Sequence, residues 1–108
     1  MIRFDDILEK ASSYISEKDV PVLQKAYVFA GKAHRGQVRR SGEPYLSHPL
    51  EVTDFLADMK LDRTTLVAAL LHDVLEDTEA TAADIRENFG QEVADLVEGV
   101  TKISRVQE

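Results

Sequence analysis

Apolar residues return every third or fourth position along almost the whole of this 108-residue sequence, and no stretch alternates apolar with polar residues in the manner of a half-buried strand. The chain therefore reads as all-α. Ile7, Ala11, Tyr14 and Ile15 outline a first helix. Asp19 ahead of Pro21 marks the start of a second, which turns Leu23, Ala26, Tyr27 and Ala30 inward and ends near His34. Arg35 to Glu43, with Gly36 and Gly42, reads as a loop, and Ser47 as the cap of a third helix running through Met59 with Pro49 in its first turn. Asp62 can cap a fourth helix from Thr64 to about Asp77. Thr81 with Asp84 has the spacing of a capping box for a short fifth, which Gly90 ends. A sixth, Glu92 to Ser104, presents Val93, Leu96, Val97 and Val100 and is weakened at Gly99 by about 1 kcal/mol relative to alanine.

The length suits one domain, spanning 1–108. No apolar run approaches the roughly 20 residues of a membrane span, and Met1 to Glu9 carries three acids without a signal-peptide pattern. No membrane association and a cytoplasmic location are expected. With no cysteine in the chain, only His, Asp and Glu remain as strong metal ligands. The net charge of −7 opposes nucleic-acid binding. That charge is uneven, however. Lys32, Arg35, Arg39 and Arg40 fall within nine residues free of acids. Such a cluster reads either as a solvated basic loop or as a cationic site for a compact polyanion.

The fourth helix carries the chemically loaded residues. At about 100° per residue, Leu66, Val67, Leu70, Leu71, Val74 and Leu75 share one broad face, while His72, Asp73 and Glu76 share the other with Ala69. Asp77 falls at the boundary, a costly place for a charge unless it is paired or used. An amphipathic helix with a solvated polar face explains the pattern equally simply. Against that, adjacent His72 and Asp73 can offer a nitrogen and an oxygen to one divalent cation, and Glu76 lies one turn beyond. His48, at a predicted helix start, is a second histidine in a telling place or a satisfied partner of a backbone carbonyl. His34 reads as a packing or capping residue.

A more specific signal lies in the order of short motifs. AHRGQVRRSGEPYLSHPLEV, Ala33 to Val52, is similar to the start of the hydrolase domain of the RelA/SpoT family, and LLHDVLEDT, Leu70 to Thr78, resembles its HD and ED motifs. DIRENFGQEVADLVEGVTKIS, Asp84 to Ser104, continues the match, so nearly the whole chain is covered. The resemblance implies an HD-domain helical bundle that removes the 3′-pyrophosphate of ppGpp or pppGpp, giving GDP or GTP and pyrophosphate. It implies a manganese ion held by His48, His72, Asp73 and a later aspartate. It also gives Glu76 and Asp77 the work of activating water and managing protons, and makes Arg39, Arg40 and Ser41 the nucleotide-contacting segment.

The fourth ligand of the family lies on a helix beyond Glu108, so the sequence reads as a domain incomplete at its C-terminus. Weak metal binding, low activity and homodimer formation through uncovered apolar surface of the fourth and sixth helices are the expectations for the piece alone. Long members of the family often carry a synthetase domain and are then called GTP pyrophosphokinases. A noncatalytic regulatory module with the same fold, and an HD phosphohydrolase for another nucleotide, are the competing readings. His48, His72, Asp73, Glu76 and Asp77 together disfavour the first, and the SGEPY and GVTK segments favour the alarmone over another nucleotide.

Overall fold

The computed structural model describes residues 2–37 and 46–107, the side chains of 102–107 excepted. Seven helices and no strand occur among the described residues: α1 (Phe4–Ser12), α2 (Val20–Ala33), α3 (Ser47–Asp58), α4 (Arg63–Leu71), α5 (Val74–Asp77), α6 (Ala82–Phe89) and α7 (Gln91–Gln107). None of the described helices is long and apolar enough to cross a membrane.

The bundle is organised around α4. Thr64, Leu66, Val67, Ala68, Ala69, Leu70 and Leu71 are all buried, so this helix is apolar on every side and packs against α2, α3 and α7. The sequence wheel gave α4 a polar face through Ala69; the structure replaces it with a central element whose whole circumference is covered. The expected exposure of apolar surface on the fourth helix is therefore not found, whereas Leu96 and Val100 of α7 are exposed. Around α4, α1 closes one side through a stack of Phe4 on Tyr27, with ring centroids 4.2 Å apart, and through Lys10, which pairs with Asp54 at 2.7 Å and Asp58 at 3.0 Å on α3. The Tyr14 hydroxyl donates to the Leu61 carbonyl at 2.7 Å, fixing the turn that delivers the chain into α4.

Helix starts divide by the backbone conformation of the preceding residue. Asp62 and Thr81 are extended, and both caps form as expected: Asp62 Oδ1 accepts from the Thr65 N–H at 3.0 Å, and Thr81 and Asp84 exchange bonds of 3.2 and 2.9 Å in a capping box. Asp19 and Leu46 are instead in the right-handed helical region, where the chain is already turning. Asp19 thus makes no side-chain cap and faces Arg63 at 3.8 Å, and Ser47 is the buried first residue of α3 rather than its cap. Gly90 ends α6 at φ 97°, a conformation that suits glycine, and α7 follows at once.

The Asp62 cap yields a stability prediction. Hydrogen bonds from the Thr65 hydroxyl and then from its backbone N–H hold the Asp62 carboxyl below the usual carboxylate range. A folded-state value below the unfolded one means that the ionised cap stabilises the fold above pH about 4. This contribution is lost as pH falls through the folded value. Asp62→Ala should cost about 1 kcal/mol at neutral pH. Asp62→Asn should keep most of the stability while flattening its acid limb, as measured by denaturant unfolding across pH.

Candidate metal centre

The fourth helix of the sequence reading is two helices, and the break makes the site. Periodicity carries apolar residues through Val74 and Leu75, yet α4 stops at Leu71 and α5 begins at Val74. The His72 ring bonds through Nδ1 to the Ala69 carbonyl at 2.6 Å, and the His72 backbone N–H reaches the same carbonyl at 3.4 Å. Both draw the chain into a tight i−3 turn in place of the helical i−4 ladder. Asp73 follows at φ −93°, ψ −3°, the sparsely allowed bridge region between helix and strand.

The Ala69 bond also settles the chemistry of the ring. A carbonyl can only accept, so Nδ1 carries the proton, and in the neutral imidazole Nε2 presents its lone pair. That atom lies 3.3 Å from Asp73 Oδ1. Two lone-pair atoms at this separation repel each other unless a proton or a cation lies between them. His48, the second residue of α3, brings a third donor: its ring centroid is 5.3 Å from that of His72, at an interplanar angle of 69°. One ligand atom from each of His48, His72 and Asp73 lies within 4.8 Å of the other two, and all three residues are half-buried. Two imidazole nitrogens and a carboxylate oxygen, one ring oriented by a backbone carbonyl, form a donor set suited to a divalent transition metal.

Asp73 also belongs to a second group, with Glu76 and Asp77, whose donor atoms again fall within 4.8 Å of one another. Both acids are exposed. The expectation that Asp77 sits at the edge of a buried stripe is corrected, because the break before α5 resets the helical phase and turns Asp77 outward. Beside this turn is an open cavity of about 610 Å³, walled by Glu76, Asp77, Thr78 and Glu79 on one side and by Lys32 and Gln37 on the other. Arg39, Arg40 and Ser41 lie outside the described residues.

His34 is buried at the end of α2, where its N–H bonds to the Ala30 carbonyl, and is thus part of the helix end as the sequence suggested. Its ring meets Gln37 Oε1 at 3.1 Å, and Gln37 Nε2 donates to the Asp77 carbonyl at 2.7 Å. Sequence reading missed Gln37. The only local signal is Gly36, at φ 80°, which turns the chain back toward α5.

The HD domain family profile matches residues 26–108. The chain belongs to the HD domain family. Within it, the chain is 51% identical over 106 residues to a GTP pyrophosphokinase of Myxococcus xanthus and 49% identical over 107 residues to the bifunctional (p)ppGpp synthase/hydrolase SpoT of Escherichia coli K12. These alignments cover 94% and 99% of this HD chain but only 14% and 15% of the two relatives. A solved structure of a metazoan ortholog of SpoT, described as hydrolysing ppGpp, superposes with a TM-score of 0.69 at 36% identity, covering 81% of this chain and 49% of the other. HD domains are metal-dependent, and the His48, His72 and Asp73 cluster is this chain's possible metal site.

Proposed function

We propose that residues 1–108 are part of the hydrolase domain of a longer SpoT/RelA-type protein and serve to remove the 3′-pyrophosphate of ppGpp or pppGpp. The observation that carries this reading is the convergence of His48, His72 and Asp73 beside Glu76 and Asp77. Its substrate comes from similarity: relatives 47–50% identical to the chain are named guanosine-3′,5′-bis(diphosphate) 3′-pyrophosphohydrolase.

In this reading His48, His72 and Asp73 would hold a manganese ion, with a later aspartate as the further ligand that the family resemblance implies. When bound there, the ion would lower the pKa of a coordinated water and offset the charge of the phosphate ester. Glu76 orients the attacking water and takes its proton. The water oxygen bonds to the phosphorus on the ribose 3′-oxygen as that P–O bond breaks, and the proton taken from the water passes by way of Asp77 to the departing 3′-oxygen, so that pyrophosphate leaves and a 3′-hydroxyl remains. Arg39, Arg40 and Ser41 contact the nucleotide, Arg39 through charge-assisted bonds to phosphate. Lys32 adds a positive charge to a cavity whose other wall is acidic, where an unneutralised polyanion would be repelled.

The test uses the full-length protein. Pyrophosphate release from ppGpp should require Mn²⁺, stop on chelation and return when Mn²⁺ is restored. Release from another nucleotide but not from ppGpp would overturn the substrate assignment, and release undiminished by chelation would overturn the metal assignment.

A further inference from the structure

The turn that bears the two proposed proton-handling acids is only four residues long. A helix of that length does not hold its own geometry, because nucleation is unfavourable and one turn contributes almost no propagating bonds. Its position must be imposed from outside. At its start Val74 is buried and α5 packs on α7; Thr78 Oγ1 closes its end by donating to the Val74 carbonyl at 2.7 Å.

A further tie crosses 40 residues of sequence to the end of α2. Gln37 Nε2 donates to the Asp77 carbonyl at 2.7 Å. That carbonyl can only accept, so the amide is fixed with nitrogen toward Asp77 and Oε1 toward His34. His34 Nδ1, 3.1 Å from Oε1, is therefore the protonated nitrogen of its ring. His34 is 4% exposed, and the Gln37 backbone N–H bonds to the His34 carbonyl at 3.0 Å, so the glutamine is held at both its main chain and its side chain. A buried imidazole thus orients an amide, and the amide grips the last residue of the turn.

We propose that Gln37 is a positioning residue for hydrolysis, acting through the backbone of Asp77 to hold Glu76 and Asp77 against the metal ligands. The inference rests on the catalytic roles proposed for those two acids. Gln37 also stands two residues before Arg39 in the sequence.

Gln37→Glu in the full-length protein keeps the acceptor for His34 and replaces the donor to Asp77 with an oxygen that repels its carbonyl. Gln37→Ala removes the donor without adding charge and serves should the first variant not fold. The kcat for pyrophosphate release should fall about 10- to 100-fold, the range for loss of a side chain that orients active groups. The KM for ppGpp and the calorimetric Kd for Mn²⁺ should stay within about twofold of the unaltered protein, by the same separation of roles.

In a background carrying both Glu76→Gln and Asp77→Asn, measured by single turnover, the Gln37 change should have little further effect, since both groups it positions are gone. Unchanged kcat, a raised KM alone, loss of Mn²⁺ affinity, or independent multiplication of the two effects would each overturn the proposal. The underlying reading fails separately, if Glu76→Gln and Asp77→Asn both retain full turnover. Loss of turnover in those variants but not in the Gln37 variants would leave that reading standing and remove Gln37 from it.

Discussion

His72→Ala in the full-length protein is expected to lose Mn²⁺ binding and pyrophosphate release together. The substitution removes the nitrogen whose orientation is set by the Ala69 carbonyl and which stands 3.3 Å from Asp73. Losing a side chain that merely orients a ligand costs about 10- to 100-fold in affinity, so losing the ligand should cost at least about 100-fold. Turnover should fall by roughly 1,000-fold or more, corresponding to about 4 kcal/mol of charge stabilisation in the transition state. Glu76→Gln provides the contrast: turnover should drop while calorimetric Mn²⁺ affinity holds. Equal loss of both in the Glu76 variant would make it a ligand or a support, and an active His72→Ala protein would remove the metal centre from the mechanism.

The second large effect is on stability. Leu70 is fully buried at the middle of the bundle, on the one helix that packs against α2, α3 and α7. Leu70→Ala should cost about 2–5 kcal/mol, because the surrounding helices cannot all close on the space it leaves. A domain of this size has only about 5–15 kcal/mol in hand. For such a domain each kcal/mol corresponds to about 4–8 °C in Tm, so thermal unfolding should shift by about 10 °C or more. Leu96→Ala, at an exposed position of α7, should change stability by no more than about 0.5 kcal/mol. Comparable shifts for the two variants would contradict the central place given to α4.

The residues that carry local signals were readable in the chain. Thr81 with Asp84, and Asp62 ahead of Thr65, announce helix starts because an extended residue with a short acceptor leaves one geometry for the following N–H groups. Asp19 and Ser47 carry the same chemistry, but their helices begin from residues already in helical conformation, which composition does not reveal. The break at His72 was invisible for a related reason. Val74 and Leu75 continue the apolar period, while the interruption comes from one ring bonding to one carbonyl three residues back.

Once the chain breaks there, the wheel no longer applies to Asp77, which explains its exposure. The candidate ligands followed from residue type and motif order, since His72 and Asp73 are adjacent and histidines are few. The approach of His48 needed the packing of α3 on α4. Gln37 escaped notice because an amide that reaches across 40 residues leaves no periodic trace.

The origin of the three candidate donors on α3 and on the break between α4 and α5 couples the site to the folding equilibrium. His48 belongs to α3, and His72 and Asp73 lie between α4 and α5, so an unfolded chain holds no assembled site. An ion that binds only the assembled donors acts as a removable cross-link between α3 and that break. At a free concentration 100 times its Kd it would add about 2.7 kcal/mol to the stability of the fold. Metal supply would then govern how long the folded protein persists as well as how fast it turns over, and depletion would expose the α3–α4 pairing to unfolding and proteolysis.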